Sequence, residues 1–312
     1  MNRTDFDELA DKLRNWGRWG TDDSRGTLNH IDGAAMLRGA QSATAGKLFS
    51  LSLEFNRDGL QLPRSGRLNP QLYVTAMDKV LAPANPASRH NDDHVTMGLQ
   101  SATHWDSLSH VHYDGELYNG HKACDVLTVE GTKAHGVEHL ANPGILSRGV
   151  LLDIARLRGV EMLSGADEIT PDDLNAAIKA QGVTISPGDI LVVRTGNMRR
   201  LVVYKDRELF NQHHPGLTVA CAEWLHDHSI AAVAADNQAV EVINAETFEG
   251  EMALPMHQLC LRDMGMPFGE NWNLEALAAD CASDGKFTFL LCAPPIGFTG
   301  AVGAPVNPTA LK

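Results

Sequence analysis

The segment Gln100-Ser101-Ala102-Thr103-His104-Trp105-Asp106-Ser107-Leu108-Ser109-His110 carries its polar groups at spacings that can converge on a metal ion. In an extended chain, residues at even separations share a face, so Gln100, His104, Asp106 and His110 point one way while Ser101, Thr103, Trp105 and Ser109 point another. Imidazole nitrogen and carboxylate oxygen are ordinary ligands of first-row divalent ions, and the amide oxygen of Gln100 is a weaker ligand suited to harder ions. A divalent ion held there lowers the pKa of a bound water to about 7, and an unligated histidine beside it can move protons. The same spacings also suit a polar strand or loop with ordinary hydrogen-bonded histidines, and the segment alone leaves both readings open.

Further along the chain lie Pro255-Met256-His257 and Glu270-Asn271-Trp272-Asn273-Leu274, preceded by the acidic stretch Ala235-Asp236-Asn237-Gln238-Ala239-Val240-Glu241. Together these blocks resemble the metal-dependent cyclase family that contains bacterial kynurenine formamidases and isatin hydrolases. Against its signature H-x-G-T-H-x-D-x-P-x-H, Thr103, His104, Asp106 and His110 match, while Gln100 replaces the first His, Ala102 the Gly and Leu108 the Pro. His257 and Glu270 are similar to the family's later metal-ligating His and the Glu of its E-N-L-x-N-L segment. Separated blocks in the right order are far more specific than one histidine-rich stretch.

The resemblance implies roles. His104, Asp106, His257 and Glu270 would ligate metal, with Asp106 able to bridge two ions, and His110 would be the proton donor and acceptor. Gln100, in place of an imidazole, would weaken zinc and favour manganese, magnesium or iron, or would only hydrogen-bond water or substrate. The expected cofactor is one or two divalent ions per subunit, manganese or zinc first, with iron or magnesium as alternatives. The implied activity is hydrolysis of a small amide, cyclic imide or lactam. The alternatives are a lactone hydrolase, a biosynthetic cyclase, or a non-catalytic metal- or ligand-binding protein. The implied architecture is the swivelling β/β/α fold with a central barrel-like mixed sheet, and the implied assembly a homodimer or homotetramer. Trp105, Tyr113, Arg194 and Trp19 are candidates for substrate contact. Arg194 could equally serve a structural ion pair, and Trp19 could simply pack.

Composition is that of an ordinary soluble globular protein. The 312 residues are 43% apolar and 21% charged, enough for one large domain, expected here as residues 1–312 with an N-terminal helical arm at about 1–45. A formal charge of −13 disfavours nucleic acid or an anionic membrane as partner. No secretory signal and no run of about 18 apolar residues is visible, which with five cysteines and no C-x-x-C pair points to reduced thiols in a cytoplasmic protein. There is no G-x-S-x-G elbow, phosphate loop or G-x-G-x-x-G fingerprint.

Periodicity places the remaining elements. Asp5 and Glu8 are read as the N-cap and third-position acid of a helix presenting Phe6, Leu9, Leu13 and Trp16. Gly46 to Phe55 reads as a strand, and Leu60 to Asp93, rich in Pro, Asn, Ser and Asp, as mainly loop. In the second half, strands at Gly149–Ile154, Ile190–Arg194, Ile230–Ala235 and Lys286–Cys292 alternate with helices. These helices start at Thr170-Pro171, Thr218 and Asn273. The alternation predicts an α/β class.

Overall fold

The computed structural model describes residues 1–312. Its main sheet has nine strands: β1 (Leu48–Ser50), β2 (His104–Asp106), β3 (Leu146–Asp153), β4 (Ile190–Arg194), β5 (Ala232–Ala235), β6 (Phe268–Glu270), β7 (Thr288–Cys292), β8 (Gly303–Pro305) and β9 (Thr309–Leu311). Across the sheet the order is β1-β9-β7-β3-β4-β5-β6-β2-β8. The four central strands β3, β4, β5 and β6 are parallel, and every strand outside them pairs antiparallel. The result is the expected α/β fold, a mixed sheet curled into a half-barrel.

The central strands are parallel because they are apolar on both sides. Val150, Leu152, Leu191, Val193, Val233 and Ala235 face one core, which also takes Phe6 and Leu13 from the helix α1 (Arg3–Leu13). The alternate residues Leu151, Ile190, Val192, Ala232 and Ala234 face a second core with Trp105, Trp272 and Phe289. Two-sided burial is characteristic of parallel sheets, and each of the Val, Leu and Ile side chains contributes about 1.5–3 kcal/mol by leaving water.

Helices cover the faces. Besides α1 these include α2 (Gly33–Ser42), α3 (Pro171–Gln181), α4 (Ala220–Asp227) and α5 (Glu275–Asp284). α3 follows its sequence signals: the Thr170 hydroxyl and the Asp173 carboxylate form a reciprocal capping box, Pro171 opens the helix, and Gly182 closes it in the left-handed region. α1 begins earlier than the sequence suggests. Its cap is Asn2, whose side chain accepts the Asp5 N–H, so Asp5 lies in the first turn. α4 lacks a side-chain cap on its backbone: the Thr218 carbonyl accepts the Cys221 N–H, while the Thr218 hydroxyl lies 3.8 Å from the Cys221 thiol and 3.3 Å from the Ile169 carbonyl.

One segment departs from expectation. Residues within Leu60–Asp93, read as mainly loop, form most of an antiparallel ribbon of Gln71–Ala82 against Asn85–Thr96. Three irregularities of register interrupt it, between Val74 and Ala76, Ala76 and Lys79, and Val80 and Ala82. Thus His90 and His94 sit on a strand, and His94 stacks on Tyr73 with ring centroids 5.1 Å apart. The chain also adds two strands beyond Cys292, β8 and β9. No helix is long and apolar enough to cross a membrane.

Candidate metal centre

The parallel strands end in a row of polar residues. Asp153 and Arg194 face each other at the carboxyl ends of β3 and β4, Asp236 follows β5, and Glu270 ends β6 opposite His104 of the antiparallel β2. Carboxyl ends of strands are where open α/β sheets gather ligands. Asn271, with φ of 59°, turns the chain sharply after Glu270. The Thr103 hydroxyl clamps this corner by donating to the Asn271 carbonyl at 2.7 Å and accepting the Leu53 N–H at 2.9 Å.

At that corner His104, Asp106 and Glu270 place one ligand atom each within 4.8 Å of one another, all buried. Nε2 of His104 lies 3.3 Å from Asp106 Oδ1 and 3.4 Å from Glu270 Oε2. His257 joins from the short helix Pro255–His257, with Nε2 3.2 Å from Glu270 Oε1 and 3.9 Å from Asp106 Oδ2. His110 approaches on the open side, 3.6 Å from Asp106 Oδ1, with its side chain 20% exposed. It arrives through a turn closed by the His110 N–H on the Ser107 carbonyl rather than by strand parity, since β2 spans only three residues.

His104 and His257 are each oriented from behind. Nδ1 of His104 is 2.7 Å from the Ala102 carbonyl, which can only accept, so that nitrogen carries a proton and Nε2 is the ring atom turned toward the carboxylates. Nδ1 of His257 is 2.5 Å from Glu241 Oε1, and the Glu241 carboxylate also accepts the backbone N–H groups of Met256 and His257. Such partners fix ring orientation and raise ligand basicity. Glu241 was visible in sequence only as the end of an acidic stretch, and nothing in its spacing showed that it reaches His257.

The electrostatics ask for a cation. Two carboxylates are buried side by side, and neither pairs with a lysine or arginine. Burial alone would push the imidazoles of His104 and His257 toward neutrality. The adjacent carboxylates outweigh it and raise both to about 10. Burial opposes ionisation of Asp106, but His110 and His104 win and hold it below the usual carboxylate range. His110 itself is depressed, first by burial and then by His257 and His104, with Asp106 and Glu270 opposing. Most telling, His104 Nε2 and both Asp106 oxygens are buried without any hydrogen-bond partner. Buried polar atoms are almost always partnered, and a divalent ion fits this donor set of imidazole nitrogen and carboxylate oxygen.

The other sequence candidates distribute as follows. Gln100 reaches the cluster's edge. A methyl group built on Gly303 would meet its Nε2 at 2.7 Å and Asp106 Oδ1 at 3.4 Å, so the amide and the carboxylate flank the same small gap. Trp105 is fully buried on the opposite face of β2, edge-on to Trp272, with its N–H on the Ala293 carbonyl. Arg194 is occupied by Asp153 at 2.9 Å and by both oxygens of Glu275 at 2.9 and 3.0 Å, the structural alternative of its two readings. Tyr113 donates to Asp263 beneath the Arg262 guanidinium, and Trp19 rests half-buried edge-on to His30. None of these four side chains is drawn into the cluster by the contacts it makes.

Comparison with known proteins accords with this fold. Residues 49–242 match the family described as Putative cyclase. A solved structure described as a novel cyclase is 36% identical, with a TM-score of 0.84 over 97% of this chain and 99% of its own. The chain therefore belongs to this cyclase family. Isatin hydrolase A from Ralstonia solanacearum is 19% identical with a TM-score of 0.62, covering 85% of this chain and 91% of that one. An isatin hydrolase bound to the product analogue thioisatinate is also 19% identical, with a TM-score of 0.60 over 90% and 99%. These last two likenesses show the fold alone. No curated protein matches the chain.

Proposed function

We propose that this protein is a metal-dependent hydrolase that opens or cleaves a small amide, cyclic imide or lactam. The observation that carries the reading is the set of buried, unpartnered ligand atoms on His104 and Asp106 beside Glu270 and His257. The names of the isatin hydrolases support it, because isatin contains a cyclic amide.

His104, Asp106, Glu270 and His257 would hold a divalent ion, with Gln100 beside them. When bound, the ion supplies Lewis-acid activation of a water and of the substrate carbonyl. His110 does the proton work. It is the most exposed of the clustered histidines, and its depressed pKa keeps it neutral and able to accept at neutral pH. It takes the proton released as the water oxygen bonds to the carbonyl carbon, and returns it to the nitrogen as the C–N bond breaks. Glu241 holds His257 so that Nε2 faces the carboxylates. His104, Asp106, Glu270 and His257 are buried, and His110 is the exposed member of the cluster.

The test is turnover of the metal-supplemented protein on a panel of cyclic imides, formyl amides, lactams and lactones. Hydrolysis of a C–N substrate is expected. Hydrolysis of lactones alone would replace the reading with ester-ring opening, and no hydrolysis of any member would overturn it.

A further inference from the structure

Nε2 of His110 stands 3.6 Å from Asp106 Oδ1, beyond hydrogen-bond distance, so the backbone that carries the ring sets its position. On the amino side that backbone is closed by the turn of the His110 N–H on the Ser107 carbonyl. On the carboxyl side the anchor is Tyr113. Its hydroxyl donates to Asp263 Oδ2 at 2.8 Å. Its ring lies edge-on to Phe6 of α1, with centroids 5.1 Å apart, and 3.9 Å from the Arg262 guanidinium.

Arg262 and Asp263 are themselves tied down. The Arg262 guanidinium donates to Asp263 Oδ1 at 2.7 Å, to the Glu116 carboxylate at 2.8 Å and to the Glu116 carbonyl at 3.0 Å, and it lies over the Trp16 ring at 4.7 Å. Asp263 also accepts from Arg14 at 3.2 Å. Both residues are buried, at 3% and 0% exposure. They sit on the π-helix Gln258–Met264, which continues directly from the short helix Pro255–His257. One helical stretch therefore carries His257 at its start and grips the His110 segment near its end. π-turns of this kind recur at functional sites.

A buried ion pair adds little net stability, because desolvation offsets the attraction and apolar side chains of similar volume do as well. What a forked guanidinium between fixed acceptors supplies is direction. We infer that Tyr113, Arg262 and Asp263 are positioning residues for the proton step: by tying the His110 segment to the helix of His257, they set the distance of His110 from the cluster of His104, Asp106, Glu270 and His257. This rests on His110 as the proton carrier and names what places it.

The test is a double-mutant cycle on the metal-supplemented full chain, with the panel's best substrate and each variant checked for native circular dichroism. Tyr113→Phe removes one hydroxyl and keeps the ring; Arg262→Lys keeps the charge and loses the fork. kcat should fall about 10-fold in the first and about 100-fold in the second, with KM and chelator-measured metal affinity unchanged. In a His110→Ala background neither change should lower kcat further. Wild-type kcat in both variants would overturn the inference. So would losses of the same size in the absence of His110, or a loss of metal affinity in either variant. Full turnover by His110→Ala alone would instead remove the proton reading beneath it.

Discussion

Oε1 of Glu241 lies 2.5 Å from Nδ1 of His257, and the same oxygen accepts the His257 backbone N–H at 2.9 Å. One carboxylate thus fixes both the ring and the backbone of a residue whose other nitrogen faces Asp106 and Glu270. Replacing Glu241 by Gln keeps a hydrogen-bond acceptor but removes the charge that favours the Nδ1–H form. Metal affinity should fall about 10-fold for Glu241→Gln and about 100-fold for Glu241→Ala. Competition with a chelator measures it, and unchanged affinity in the Ala variant would mean that Glu241 only supports the backbone.

His110 touches the cluster without the support from behind that holds His104 and His257. His110→Ala should retain metal while losing a factor of roughly 10² to 10⁴ in kcat. The variant separates proton transfer from metal binding, because the other four side chains remain. Loss of metal together with activity would instead make His110 a ligand.

The pH dependence follows from the same residue. Burial lowers the His110 pKa below 6.5, and a bound cation would push in the same direction. Its accepting form is neutral and is lost as pH falls through that depressed value. The acid limb of kcat should therefore have its midpoint below 6.5. A midpoint above 6.5 would show that another group supplies the base.

Gly303 faces the gap between Gln100 and Asp106. A Cβ there would stand 2.7 Å from Gln100 Nε2 and 2.9 Å from the Trp105 carbonyl, so Gly303→Ala must displace the amide or the β8–β2 pairing. We expect metal affinity or selectivity to change while the melting temperature falls only modestly. Equilibrium metal competition reads the first and calorimetry the second. An unaltered metal preference would leave Gln100 without a part in the centre.

Arg194 ends β4 two strand spacings, roughly 10 Å, from Glu270. Its side chain is 8% exposed, and its guanidinium is held by Asp153 and Glu275. Arg194→Ala leaves Asp153 uncompensated, since Glu275 keeps Arg199, and should cost about 3 kcal/mol in urea unfolding with little change in KM. A large rise in KM at unchanged stability would restore Arg194 to the substrate pocket.

Much of this architecture can be read from the chain because the physics is local. The parallel strands announce themselves as apolar runs, α3 by Thr170, Pro171 and Gly182, and the alternation of His104 and Asp106 on one strand face survives in the structure. The ribbon is hidden because Asn85–Thr96 is built from residues with weak strand preference, and three register irregularities break the alternation of its partner. β8 and β9 are three residues each, too short to show a period. The grip of Glu241 on His257 is a contact across sixteen positions, formed only when the chain folds back from the end of β5.

If the buried atoms of His104 and Asp106 ligate a divalent ion, the purified chain must carry metal. Elemental analysis of the purified chain after supplementation with manganese or zinc, beside Asp106→Asn, should find one or two ions per chain in the wild type. The variant should show at least a tenfold loss of affinity. A wild type that holds no divalent metal under any supplementation, or an Asp106→Asn variant that holds it as tightly, would contradict the account.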